Sequence, residues 1–80
     1  MISKEEIHKM LIEGLEDPKV RVENEYDDGE HFAAEVASPA FIGASLVKQH
    51  QLVYRALGDA MKSRIHALQL KTYTPDRWPY

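Results

Sequence analysis

The sequence predicts an α+β domain in which helices cover a three-stranded mixed sheet, with the element order α-β-β-α-β-α. Two segments repeat apolar residues at helical spacing, three have the composition of strands, and Pro or Gly residues separate most of them. The 80 residues form one domain, 1–80. A chain of this length buries only about 60% of its unfolded surface, so the core is small.

The first helix begins after Ser3, because Glu6 follows three residues later and completes a capping box. Ile2 and Ile7 flank the box and form a hydrophobic staple. Its apolar stripe consists of Ile7, Met10, Leu11 and Leu15. The Asp17-Pro18 pair ends the helix, since a residue before proline avoids the helical region.

An antiparallel hairpin follows. In its first strand Val20, Val22 and Tyr26 alternate with mostly charged residues, which is typical of a half-buried strand. Residues 27–30 form the turn, because Asp-Gly supplies the positive φ that a hairpin needs. The second strand, closed by Ser38-Pro39, places three apolar side chains on one face: Phe32, Ala34 and Val36.

The longest periodic segment predicts a second helix, capped by Ser45 and closed by residues 62–64. Its apolar face consists of Leu46, His50, Val53, Leu57 and Met61. Gly58 lies inside this helix, where glycine costs about 1 kcal/mol relative to alanine, and marks a weak point.

Residues 65–73 form the third strand, and Thr74-Pro75 begins a final helix that Pro79 stops after barely one turn. The second and third strands are connected through the long helix. This connection predicts a right-handed parallel crossover, and the sheet is therefore mixed.

The composition excludes several classes of protein. The chain has no cysteine, which rules out disulfides, thiolate zinc sites, thiol nucleophiles and an iron–sulfur cluster held by its own sulfurs. No apolar run reaches the roughly 18 residues of a membrane span, and the start is too acidic and helical for a targeting peptide. We therefore expect a soluble, cytoplasmic protein without a membrane partner.

Charge is distributed unevenly. Residues 1–42 contain four Lys/Arg and eleven Asp/Glu, a balance of −7, whereas residues 43–80 contain six and two, a balance of +4. Either this asymmetry steers an anionic partner to one face, or the acidic and basic halves simply balance each other across a solvated surface. The pI of about 5.7 does not by itself favour nucleic acid.

Motifs of catalysis are absent from the sequence. It contains no Gly-rich phosphate loop, no Gly-x-Ser-x-Gly elbow and no His-Glu-x-x-His helix. The adjacent carboxylates at 5–6 and 27–28 are expected to serve helix capping and turn solvation. The sequence therefore predicts a protein that is not an enzyme.

The four histidines are the candidate metal ligands besides carboxylates. We expect His8 on the surface and His50 packed on the apolar stripe with its ring nitrogens satisfied. His31 and His66 begin the second and third strands and lie toward the same sheet edge. Spacing alone favours the interpretation that each histidine merely caps its strand, because two histidines do not complete a tetrahedral metal site. Any metal site at this edge would be shared with a partner.

Three basic residues recur every seven positions, Lys48, Arg55 and Lys62, which places them on one side of the long helix. This is either a solvated face or a phosphate-contacting face. The second interpretation gains support from the helix start at Gly43 and Ser45.

Several segments of the chain form a recognisable set. They are Phe-Ile-Gly at 41–43, Val-Lys-Gln-His-Gln-Leu-Val-Tyr at 47–54, Gly-Glu-His-Phe at 29–32, Ile-His-Ala-Leu at 65–68, Lys-Thr-Tyr-Thr-Pro at 71–75, and Trp78. Together these segments resemble the BolA family, including its small bacterial members of the IbaG type. The resemblance spans nearly the whole chain and implies a class II KH-like fold, with helices on one face of a mixed sheet.

The resemblance also implies a function. BolA-like proteins pair with monothiol glutaredoxin and glutathione in iron–sulfur cluster assembly and trafficking and in iron or stress regulation. The implied cofactor is a 2Fe-2S cluster shared with glutaredoxin, with His66 as this chain's ligand. The expected docking surface lies around His66, Tyr73, Thr74 and Pro75, and the chain alone is a monomer or a weak homodimer.

The chain departs from the family pattern in the first hairpin loop, and a second function stays open. The family usually has a Cys or His within the first hairpin loop, but residues 27–30 contain neither, so His31 is the only candidate second ligand. The alternative is a DNA-binding transcriptional regulator that uses the KH-like turn. Its candidate residues are Gly43, Ser45, Lys48, Arg55 and Lys62, although the second glycine of a Gly-x-x-Gly loop is missing.

Overall fold

The computed structural model describes residues 2–80 as three helices and three strands. The helices are α1 (Lys4–Gly14), α2 (Leu46–Leu57) and α3 (Ala60–Ser63), and the strands are β1 (Lys19–Asn24), β2 (His31–Ala37) and β3 (Ala67–Tyr73). Single 3₁₀ turns cover Pro39–Phe41 and Pro75–Arg77. In this part of the chain, no helix combines the length and apolar character needed to cross a membrane.

The three strands form one sheet in the order β1-β2-β3. β1 pairs antiparallel with β2, with Val20 opposite Val36, and β2 pairs parallel with β3, with His31 opposite Ala67. The predicted mixed sheet and the parallel pairing across the long helix are therefore confirmed.

Both long helices pack on the same face of the sheet. Phe32, Ala34 and Val36 of β2, which are predicted to share one face, are almost completely buried. They form one core with apolar residues of both helices. The largest fully buried side chains of this core are Phe32, Phe41, Ile2, Ile7, Leu11, Val36 and Val53. The opposite face of the sheet carries polar residues such as Glu35 and Lys71, so the prediction of helices on one face is confirmed.

The predicted caps fix the starts of the two long helices. The Ser3 hydroxyl oxygen accepts the backbone N–H of Glu6 at 3.1 Å, and the Ser45 hydroxyl oxygen accepts that of Lys48 at 3.1 Å. Each bond satisfies a backbone donor that would otherwise lack a partner in the first helical turn.

The structure corrects the predicted end of the first helix and the length of the first strand. α1 ends at Gly14, before Asp17-Pro18, because Leu15 adopts an extended backbone and packs on the core. Tyr26 lies outside β1 and is 70% exposed, since the chain turns after Asn24 and Asp27 has a φ of 52°.

The predicted long helix is interrupted. Gly58 adopts a φ of 56° and ends α2, so the residues that follow belong to α3. The prediction that Leu46 lies on the apolar face is wrong: it is 62% exposed, because it is the first residue of α2 and this turn projects beyond the core. The third strand begins at Ala67 rather than at residue 65, and the final helix is only a 3₁₀ turn.

Candidate metal and partner site

Two histidines meet at one edge of the sheet. His31 is the first residue of β2, and His66 immediately precedes β3. Because these strands are parallel neighbours, their starts share an edge, and the two ring centroids lie 5.7 Å apart with planes at 80°. The prediction that both histidines lie toward the same edge is confirmed.

Both rings are accessible from outside the protein. His66 is exposed, and the His31 side chain is 39% exposed. No hydrogen bond within residues 2–80 involves the His66 ring. The His31 ring, in contrast, is hydrogen-bonded to Asp28 and contacts the Tyr26 ring edge-on, with 5.3 Å between the ring centroids. The His66 imidazole is therefore free to bind a group that comes from solvent or from another molecule.

Asp28 organises the turn that precedes His31. One carboxylate oxygen accepts the backbone N–H groups of Glu30 at 2.8 Å and His31 at 3.0 Å, and the other contacts His31 Nδ1 at 2.8 Å. The Glu30 backbone N–H and then the His31 ring lower the pKa of Asp28 to about 2.

The low pKa of Asp28 fixes the tautomer of its partner. An ionised carboxylate only accepts hydrogen bonds, so Nδ1 of His31 carries the proton and donates it to Asp28. In the neutral imidazole the other nitrogen, Nε2, is then left as an acceptor or metal ligand. A carboxylate behind a histidine in this manner is the usual support of a metal-bound imidazole.

A groove of about 460 Å³ opens beside His66. It is lined by Gly29, Glu30 and the run 61–66, which includes Lys62 and Arg64. Arg64 also binds the Glu6 carboxylate at 2.6 Å. The groove is polar and open, which suits contact with another molecule better than enclosure of an apolar ligand.

The predicted partner residues do not form one patch. Tyr73 is the last residue of β3 and Thr74 and Pro75 follow it, whereas His66 precedes the first residue of the strand. Tyr73 and His66 are therefore roughly 23 Å apart along the strand, at about 3.3 Å per residue. Tyr73 donates its hydroxyl to Glu35 at 2.9 Å and packs edge-on against Trp78 at 5.8 Å. The structure thus separates this segment from the histidine pair.

The predicted basic face is also divided. Lys48 and Arg55 are exposed on α2, but the break at Gly58 places Lys62 on α3, where it lines the groove beside His66. Gly43 is exposed with a φ of 75°. The Ser45 hydroxyl caps α2.

The remaining histidines differ from each other. His8 is exposed, as predicted. His50 is half-buried, but its Nε2 has no hydrogen-bond partner within residues 2–80, so the prediction that both nitrogens are satisfied is wrong for that atom. Neither residue joins the His31–His66 pair.

Sequence reasoning misses Asp28 as a site residue and assigns it only to turn solvation. The pattern Asp-x-x-His across a Gly-containing turn is the available signal, because an aspartate commonly accepts backbone N–H groups two and three residues later. That arrangement brings the carboxylate to the histidine.

Comparisons with known proteins agree with this architecture. The model of the BolA family, described as BolA-like protein, matches residues 5–77. A solved BolA protein homologue from Coxiella burnetii has a TM-score of 0.85 and 43% identity and covers 100% of both chains. The fold class α+β and the arrangement of its elements are therefore confirmed.

Named relatives fall into several groups. The acid stress protein IbaG of Escherichia coli is 38% identical over 91% of this chain and 84% of its own length. The DNA-binding transcriptional regulator BolA of Vibrio cholerae is 34% identical over 90% of this chain and 74% of its own length. The SufE-like protein 1 of Arabidopsis thaliana is longer, and the 52% identical match covers 61% of this chain but 14% of that protein. This chain belongs to the BolA family.

Proposed function

We propose that this protein is a non-enzymatic partner of monothiol glutaredoxin that donates His66 to a 2Fe-2S cluster shared between the two proteins. In this proposal it takes part in cluster assembly and trafficking and in iron or stress regulation. The name of the IbaG relative, an acid stress protein, is consistent with the stress role.

The observation that carries the proposal is the accessible histidine pair. His66 is exposed with a ring that no hydrogen bond within residues 2–80 engages, and His31 lies 5.7 Å away. Asp28 leaves His31 Nε2 free, so the edge presents imidazole nitrogens without internal partners. These groups fit a cluster that approaches on another protein's surface.

The donor chemistry determines what each partner contributes. A chain without cysteine supplies no sulfur ligand, so the thiolates come from glutaredoxin and glutathione. Imidazole in place of thiolate raises the reduction potential of such a cluster, as in Rieske centres. Only neutral imidazole binds the iron, so His66 ligation weakens as the histidine becomes protonated.

The test is a titration of this protein with a cluster-loaded monothiol glutaredoxin, followed by visible absorption and circular dichroism. We expect the wild type to alter both spectra and His66→Ala to abolish the change. His31→Ala should give a smaller or shifted change, because it removes only the second imidazole.

His8→Ala is the matched control, since it removes an exposed histidine from α1 and should behave as wild type. A wild-type protein that leaves the spectra unchanged would contradict the proposal. So would a His66→Ala variant that responds like the wild type.

Nucleic-acid binding is the second candidate function. The name of the Vibrio cholerae relative favours it, and so does the exposed turn at Gly43 with Lys48 in the first turn of α2. In this alternative the protein is a transcriptional regulator whose turn and helix start contact phosphates, with Ser45 capping the helix. The placement of Lys62 outside α2 and the net charge of −3 rank it below the first proposal.

A further inference from the structure

A carboxylate completes the surroundings of the two histidines. One ligand atom each from Asp28, Glu30 and His31 lie within 4.8 Å of one another, and the His66 ring is 5.7 Å from that of His31. The backbone links the same groups, because the Ala67 N–H donates to the Glu30 carbonyl at 3.0 Å and joins the hairpin turn to the start of β3. Two imidazoles and two carboxylates therefore share one edge of the sheet.

The four groups are not equivalent. Both oxygens of Asp28 are already occupied, one by two backbone N–H groups and the other by Nδ1 of His31. Asp28 is therefore a positioning residue that orients the His31 ring. The donors that remain are Nε2 of His31, the ring of His66 and the carboxylate of Glu30, which has no role in the cluster proposal.

We propose that His31, His66 and Glu30 bind a single divalent transition-metal ion, of the zinc or cobalt class, in the isolated protein. Imidazole nitrogen favours these ions, whereas Ca²⁺ and Mg²⁺ favour sites made of oxygen ligands. Three protein ligands and a water molecule complete a tetrahedral site. The inference does not depend on glutaredoxin.

The geometry allows the site to close with small movements. Ligand atoms of a tetrahedral zinc site lie roughly 3.4 Å apart, as metal–ligand distances of about 2.0–2.2 Å require. A ligand atom of Glu30 already lies within 4.8 Å of one of His31, and both Glu30 and His66 are exposed, so closure of the site requires movement of exposed side chains. Arg64, which lines the same groove, binds Glu6 and leaves the Glu30 carboxylate available.

Cobalt(II) is the probe, added to the isolated protein and followed by its visible d–d absorption. We expect a tetrahedral spectrum that saturates at one equivalent and disappears when zinc(II) is added. His66→Ala and Glu30→Gln should each weaken cobalt binding by about tenfold or more, since even indirect supports of a metal ligand contribute that much. His8→Ala should bind cobalt like the wild type.

Far-UV circular dichroism checks that each variant is folded. Two results would overturn the inference: no cobalt spectrum from the wild type at millimolar metal, or a Glu30→Gln variant that binds as tightly as the wild type. Glu30→Gln also separates this site from the proposed function, because it should still respond fully to cluster-loaded glutaredoxin. Failure of the cobalt test therefore leaves the cluster proposal intact, and the reverse also holds.

Discussion

Asp28 connects the stability of the hairpin turn to pH. Its pKa of about 2 lies below the value near 3.9 expected in the unfolded chain, chiefly because the Glu30 backbone N–H donates to its carboxylate. A lowered pKa means that ionised Asp28 stabilises the folded state above pH 4. This stabilisation is lost as the pH falls from about 4 to about 2.

The measurement is thermal unfolding of the wild type and Asp28→Ala across that range. We expect the variant to melt at a lower temperature at pH 6, and the difference to shrink as the pH approaches 2. Glu25→Ala, at an exposed position of the same hairpin, is the control and should track the wild type. A difference between wild type and Asp28→Ala that is independent of pH would show that the charge of Asp28 is not the cause.

The histidine pair could be predicted from chain order, but its surroundings could not. His31 and His66 each stand at the start of a predicted strand, and a parallel crossover brings such starts together. The partners of their ring atoms depend on turn geometry that periodicity does not specify. For this reason the sequence predicts no role for Asp28 at the site and places Tyr26 inside a strand.

At the scale of elements, α1 and α2 pack closely because the last residue of α1 is glycine. A Cβ atom added at Gly14 would lie 2.6 Å from Ala56 Cβ and 3.0 Å from Ala56 Cα. Both positions are fixed by helix backbones, so a rotamer change cannot relieve the contact. We expect Gly14→Ala to destabilise the protein by about 1–3 kcal/mol, the usual cost of overpacking.

A double-mutant cycle by urea denaturation tests this contact. Ala56→Gly removes the nearer atom but costs about 1 kcal/mol by itself through helix propensity. The double variant should therefore be less destabilised than the sum of the single variants, by about 0.5–3 kcal/mol. Simple additivity would mean that the helices move apart to accept the methyl group.

Element types follow from the sequence more reliably than element limits. The capping residues Ser3 and Ser45 start their helices as predicted, because a cap acts through local hydrogen bonds. The helix break at Gly58 requires a positive φ that apolar periodicity does not reveal. The apolar stripe continues through residue 61 in the sequence, but in the structure α3 carries its last member.

At the scale of the whole molecule, the crossover places the start of α2, which carries Lys48, and His66 at opposite ends of the sheet. α2 runs back against the parallel strands, so its start lies beside the end of β3. Thr72 donates its hydroxyl to the Gln49 side chain at 2.6 Å, which ties these two ends together. His66 lies at the other end of β3, roughly 20 Å from Thr72 at about 3.3 Å per residue.

This separation predicts that the two candidate functions respond to different mutations. Lys48→Glu should leave the spectral response to cluster-loaded glutaredoxin unchanged, because Lys48 lies in the first turn of α2 and far from His66. The same variant should bind duplex DNA more weakly than the wild type in fluorescence anisotropy. Its plot of log affinity against log salt should be shallower by about 0.9 for each phosphate that the protein no longer neutralises.

His66→Ala should show the reverse, with no cluster response and wild-type behaviour toward DNA. If Lys48→Glu also abolished the cluster response, the glutaredoxin would have to reach both ends of the sheet, and docking confined to the histidine edge would be wrong.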